Sequence, residues 1–323
     1  KSADRGLDGK AGMFECVASD LHGGVRVGEG KQSQHFVRQG GTPFYFFGDT
    51  AWNLYCDQPK EKLDAAAVLR YIETRASQGF NVIHSMLISE SGWANYGGSA
   101  FFDLENQRIN PGYWQEVDRR VRWLNENGIT AGLVLAWSDK GRNVNNWRDF
   151  ASQDARLRYA RYVTARYSAF DVYFIVSGEW ELGVPAERRD AVAGEYDEIG
   201  CAIMESDPHG RMIGIHPGGS PGNVRRFTAT KWMSFGDYQQ NYQRQHEEIL
   251  KAWEPGEGPV VNSEYGYYLR DREGDGLVDK DHSINDESMR NATWDIVMAG
   301  GYVVTGFGTT YMGGDRDPGP FNP

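Results

Sequence analysis

Two glutamates in this chain close apolar runs: Glu179, within Val176-Ser177-Gly178-Glu179-Trp180-Glu181, and Glu264, within Val261-Asn262-Ser263-Glu264-Tyr265-Gly266. Two carboxyl groups facing each other across a gap can divide the work of breaking an acetal. One protonates the departing oxygen while the other attacks the anomeric carbon, or activates water against it. Taken alone, a glutamate after an apolar run reads as a solvated loop charge or as a carboxylate at a helix N-terminus. Two of them on opposite sides of one ring read as a pair. Glu181 competes with Glu179, because residues two apart on an extended strand share a face. Glu179 stands nearer the end of its run and is preferred.

Other polar and aromatic residues follow apolar runs in the same way. They are Asp49 and Trp52, His84 and Ser85, Trp137 and Asp139, Trp180, His216, Asp237 and Tyr238, and Tyr265 and Tyr267. Six of these, Trp52, Trp137, Trp180, Tyr238, Tyr265 and Tyr267, offer apolar faces on which a sugar ring can stack. About half are expected to touch ligand. His84 and His216 read equally as partners of sugar hydroxyls or as satisfied structural histidines. Asp49, His84, Asp139 and His216 join the aromatics as expected substrate-binding residues.

The elements that must position these residues are short apolar runs at 44–47, 81–87, 130–136, 172–177, 211–216, 231–235, 259–263 and 302–307. Amphipathic stretches lie between them, with apolar residues at helical spacing: Trp114, Val117, Val121, Leu124; Val192, Tyr196, Ile199, Ile203; Tyr242, His246, Ile249, Trp253. Leu133-Val134-Leu135 and Phe174-Ile175-Val176 do not alternate with polar residues, as expected of parallel strands covered on both sides. Eight such strands predict a (β/α)8 barrel, whose polar strand ends gather at one mouth. A doubly wound open sheet is the structural alternative, but no Gly-rich phosphate loop of the usual spacing occurs.

Residues 1–40 lack helical periodicity and read as a β-rich segment with short strands at 14–18 and 35–38, ahead of a catalytic barrel over 41–323. A Gly-, Asp- and Pro-rich tail after the eighth run suggests that the last helix is missing.

At 323 residues the chain is long enough for one such barrel. Its formal charge of −11 argues against a phosphate-backbone partner. No run of about 18 apolar residues predicts a membrane span. The expected partner is a carbohydrate, with neither nucleic acid nor membrane. The chain starts at Lys1, which is compatible with a processed, secreted or periplasmic protein. Cys16, Cys56 and Cys201 lack metal-ligand spacing and allow at most one disulfide, and they read as buried thiols. No metal or other cofactor is expected in catalysis. The acidic stretch with Asp271, Glu273, Asp275, Gly276 and Asp279 follows the start of a calcium loop. His282 sits where the bidentate glutamate belongs, which leaves a structural calcium as the lesser reading against a solvated loop.

Gly40-Gly-Thr-Pro-Phe-Tyr-Phe-Phe-Gly-Asp-Thr-Ala-Trp-Asn-Leu54, Gly79-Phe-Asn-Val-Ile83 and Ala299-Gly-Gly-Tyr302 with Gly306-Phe-Gly308 resemble the DUF4038 family of candidate glycoside hydrolases. That family is similar to the apiosidase-like enzymes of family 140, in the clan of retaining barrels. The likeness covers about residues 36–318. It implies Glu264 as nucleophile, from Asn262-Ser263-Glu264-Tyr265-Gly266, and Glu179 as acid/base. The family usually has Gly-Gly-Asp where Ser177-Gly178-Glu179 stands here. The larger clan has Asn-Glu there, so Gly178 removes an asparagine that would reach a sugar 2-hydroxyl. The N-terminal strands resemble a small β-sandwich often fused ahead of such barrels.

The expected activity is retaining hydrolysis of O-glycosidic bonds in a poly- or oligosaccharide. Two alternatives are a carbohydrate-binding barrel without turnover and a polysaccharide lyase. The lyase needs a base beside a uronate and a neutralising cation, which an acidic rim disfavours.

Overall fold

The computed structural model describes residues 8–9, 11–13, 15, 17, 23–57, 64–88, 94–104, 107–138, 146–218, 225–239, 244–253, 258–268 and 283–306. Asp139, Cys16 and the acidic stretch at 271–281 lie outside them, as do Tyr242 and the tail from 307 on.

Eight parallel strands form one sheet: β1 Phe47–Thr50, β2 Val82–Met86, β3 Thr130–Val134, β4 Val172–Gly178, β5 Ile213–His216, β6 Gly236–Tyr238, β7 Val260–Asn262 and β8 Tyr302–Thr305. Their order is β5-β4-β3-β2-β1-β8-β7-β6, a ring in chain order whose two ends are β5 and β6. No ladder joins those ends. Instead, Ser234 just before β6 donates its amide to the Ile213 carbonyl at 2.8 Å and accepts the Ile213 amide on its hydroxyl at 3.1 Å. The expected (β/α)8 barrel is the fold found.

Helices α1 Ala65–Ser77, α2 Pro111–Glu126, α3 Gln153–Tyr167, α4 Arg189–Ser206, α5 Gln245–Trp253 and α6 Asp286–Met298 cover the outside. Their starts follow from local chemistry. Asp64, Asn110, Ser152 and Asn285 each accept a first-turn amide on the side chain, and Pro111 supplies a first helical residue that needs no donor. Trp114, Val117, Val121 and Leu124 form one stripe of α2 and are all buried, as their spacing predicts, and Tyr113 is buried beside them. None of the described helices is long and apolar enough to cross a membrane.

Two strands differ from the sequence expectation. The run at 44–47 becomes a strand only from Phe47 to Thr50, because Phe44 and Phe46 fill the barrel floor before the ladder with β2 and β8 begins. The run at 231–235 precedes β6. Trp232 packs outward over Gly200 of α4 and Phe235 inward over Gly214, the opposite faces that a three-residue interval gives on a strand, but the ladder with β7 begins only at Gly236.

Inside the ring lie Phe46, Val82, Val134, Tyr173, Ile175, Phe235, Val261, Tyr302 and Val304. An antiparallel hairpin, Val25–Val27 against Phe36–Arg38, presses Phe36 into the end where the strands start. The Phe36 ring lies 4.9 Å from both Phe46 and Tyr302, and Arg38 pairs with Asp171 at 2.7 Å. With that end plugged, access is from the opposite end, at the C-termini of the strands.

Candidate active site

β4 runs buried along its whole length to Gly178, and Glu179 then takes φ +42°. This left-handed conformation costs a residue with a Cβ of order 1–3 kcal/mol. The turn carries the Glu179 side chain over the mouth. Its Oε2 accepts from Trp137 Nε1 at 3.0 Å and its Oε1 accepts from Gln239 Nε2 at 3.0 Å. Gly178 is required by that arrangement, since a Cβ there would fall 2.2 Å from the Trp137 ring.

Glu264 follows β7 on the far side of the ring. Its Oε2 accepts from the same Gln239 Nε2 at 2.5 Å and from His216 Nε2 at 3.1 Å. One amide nitrogen therefore touches both carboxylates. The two glutamates named from the sequence are brought together across the barrel mouth.

Behind Glu264 lies a buried polar chain. Asp237 accepts a hydrogen bond from the Ser263 hydroxyl, and Ser263 Oγ in turn takes the Nδ1 proton of His216 at 2.9 Å. Asp237 Oδ2 lies 3.6 Å from the same Nδ1. Burial alone lowers the pKa of His216, but Asp237 and Glu264 outweigh it and hold the imidazole protonated to about 10. Both ring nitrogens then donate, which agrees with the two acceptors that face them.

Trp52, Trp137 and Tyr267 complete the floor. The rings of Trp52 and Trp137 meet edge to face at 5.1 Å and lie 5.8 and 5.7 Å from the His216 ring. Trp52 Nε1 donates to the Tyr267 hydroxyl at 2.8 Å. Glu181 is buried beside Glu179 and accepts the Gly218 amide at 2.8 Å. It braces the loop after β5, while Glu179 meets Gln239.

Five of the residues expected to bind substrate point elsewhere. Asp49 is fully buried under α1, where it accepts from Arg75 Nε at 2.6 Å and Tyr71 at 2.8 Å. Trp180 faces outward into Phe227 and Tyr196. Tyr265 donates to or accepts from Thr293 of α6 at 2.7 Å, and Tyr238 packs in the same outer layer with Ile249 and Val260. His84 is inside the barrel but below the mouth, between Phe46 and Tyr173. There burial lowers its pKa to about 4 despite the pull of Asp237, and His216 lowers it further. In each case a neighbour in the fold had already claimed the side chain.

Gln239 and Ser263 were not singled out from the sequence. Gln239 stands two residues beyond Asp237, so the alternation rule that puts Asp237 inside puts Gln239 there too. Ser263 carried no signal of its own beyond its place before Glu264. Among the described residues no cluster of three or more His, Cys, Asp and Glu is arranged to hold a metal ion. Cys56 and Cys201 are unbridged, Cys56 buried and Cys201 partly so.

No curated protein matches the chain. Among solved structures, it is similar to a candidate glycoside hydrolase of Bacteroides vulgatus ATCC 8482, with a TM-score of 0.70 and 20% identity over 90% of this chain and 56% of the other. A family 5 glycoside hydrolase from the same organism gives 0.68 and 17% over 88% and 62%. A family 5 mannosidase from Rhizomucor miehei gives 0.63 and 15% over 88% and 85%. The chain spans less than two thirds of the length of the two Bacteroides proteins. These likenesses are likenesses of fold. In sequence, residues 30–313 match the family described as apiosidase-like, catalytic domain, and this chain, most of which lies in the match, belongs to that family.

Proposed function

We propose that this chain is a retaining glycosidase in which Glu264 attacks the anomeric carbon and Glu179 first protonates the leaving oxygen and then deprotonates water. The observation that carries the reading is the shared donor. Gln239 Nε2 lies 3.0 Å from one carboxylate and 2.5 Å from the other, so those two oxygens are no further apart than the sum of these distances. That bound falls within the separation of about 5–5.5 Å used for double displacement, and short of the roughly 6.5–9.5 Å that leaves room for a water in inversion.

The surroundings support the division of roles. The His216 imidazolium donates to Glu264, while the neutral indole of Trp137 and the neutral amide of Gln239 donate to Glu179. Attack by Glu264 forms a glycosyl ester as the bond to the departing oxygen breaks, and the proton from Glu179 goes to that oxygen. Water then gives its proton to Glu179 and displaces the ester at the same carbon. Trp52 and Trp137 supply apolar faces for the ring.

The test is hydrolysis of a glycan and aryl-glycoside panel that includes apiosides, after the family, and β-mannosides, after the fold neighbours. Product configuration is read by NMR at early times. Glu179→Gln should lose about 10²–10⁴-fold in rate on poor leaving groups, and Glu264→Gln roughly 10³-fold or more. The first product should keep the substrate's anomeric configuration. Inverted product would overturn the double displacement, and saccharide binding with no turnover by the wild type would favour a binding barrel.

A further inference from the structure

The slot between the two carboxylates is already filled by a side chain of the protein itself. An anomeric carbon poised for attack lies about 3–3.5 Å from the nucleophile oxygen, and a leaving oxygen lies about 2.6–3.2 Å from the acid. Gln239 Nε2, at 2.5 Å from Glu264 and 3.0 Å from Glu179, occupies that volume. A sugar cannot enter unless the carboxamide moves.

The two carboxylates are built to release it. Each keeps a separate donor from a buried ring: Trp137 Nε1 on Glu179 and His216 Nε2 on Glu264. Trp137 and His216 are buried, whereas Gln239 is partly exposed at the end of β6. Losing the Gln239 bonds therefore leaves neither carboxylate stripped of its fixed partner. The exchangeable donor is the one on the cleft side.

Where the carboxamide can go is also limited. Its backbone is anchored next to β6, between the strands that carry His216 and Glu264, so a small rotation keeps it on the Glu264 side of the ring. β4 offers no polar group in its place, because the Trp137 ring fills the position of any side chain at Gly178. The sugar atom next to the anomeric carbon is C2. A carboxamide pushed off the reaction axis on the nucleophile's side meets the hydroxyl on that carbon.

We propose that Gln239 fills the empty cleavage slot and, displaced by substrate, becomes the recognition group for the sugar hydroxyl adjacent to the anomeric carbon. This rests on the glycosidase reading above. Gln239 is thus a specificity residue whose contact with that hydroxyl forms as the bond breaks, when hydrogen bonds at this position strengthen.

The experiment compares wild type with Gln239→Leu and Gln239→Asn on two probes: the 4-nitrophenyl glycoside of the sugar released in the panel, and the 2-deoxy 4-nitrophenyl glycoside of the same sugar. The ratio of the two kcat/KM values is the readout. Gln239→Leu should narrow the wild-type preference for the hydroxylated probe by about ten- to a hundredfold, the size of one hydrogen bond in a charged site. Gln239→Asn, which keeps a shorter amide, should recover part of it. An unchanged thermal unfolding midpoint shows that each variant is folded. If Gln239→Leu slows both probes alike, Gln239 only braces the carboxylates and the inference is overturned. Full turnover by Glu179→Gln and Glu264→Gln would instead overturn the underlying glycosidase reading, whatever the probe ratio does.

Discussion

At the scale of single residues, His216 is the group whose charge the fold controls most closely. It is met by Asp237 from β6, Ser263 and Glu264 from β7, the rings of Trp52 and Trp137 from the mouth, and the field of His84 from β2. An imidazole in the unfolded chain titrates near 6.5, whereas His216 holds its proton to about 10. The stabilisation from its ion pairs is therefore complete below about pH 6.5 and is lost as pH rises through about 10. Urea unfolding of wild type and His216→Gln checks this. The wild type's advantage should be largest at about pH 6 and should shrink steadily toward about pH 10, and a constant difference across that range would sink it.

At the scale of elements, one missing side chain makes room for the polar interior. A Cβ on Gly132 of β3 would lie 2.4 Å from the Tyr173 hydroxyl and 2.5 Å from the His84 ring. Gly132→Ala should cost about 1–3 kcal/mol of stability by overpacking, read by chemical denaturation, while the same change at the open Gly40 should cost far less. The same inward and outward parity explains how legible the site was. The sequence showed which residues end each strand, and Glu179, Glu264, Trp52, Trp137, His216 and Tyr267 do meet. It did not separate neighbours by face: Glu179 turns in and Trp180 out, Asp237 in and Tyr238 out, Phe46 in and Asp49 out. Counting by twos along each strand recovers most of these, and it also picks out Gln239. The left-handed turn at Glu179 is beyond such counting, because a positive φ at a non-glycine residue follows from neither apolar spacing nor strand alternation. Strand positions were legible wherever apolar runs coincided with ladders. They slipped at β1 and β6, where the aromatic residues of the run serve the core and not the sheet.

At the scale of the whole molecule, the ring has one seam. Every neighbouring pair shares a ladder except β5 and β6, which are held by the backbone and hydroxyl of Ser234 on Ile213. That seam divides His216, on β5, from Asp237 and Gln239, at β6. Local opening follows the weakest joint. In native-state hydrogen exchange the Ser234 amide should therefore exchange roughly tenfold or more faster than that of Leu135, bonded to Ile175 between β3 and β4. Equal protection at the two positions would show that the serine closes the ring as firmly as a ladder does.

Among the described residues, the Phe36 plug closes the end of the barrel where the strands start and leaves the mouth at their C-termini as the doorway. In a double displacement, the water that discharges the glycosyl ester must come in by the route the first product took out. A hydroxyl-bearing molecule waiting in that doorway stands where water would stand. On the double-displacement reading proposed above, acceptors that crowd the entrance compete with water for the ester, and the balance between joining sugars and parting them is set by traffic at the mouth.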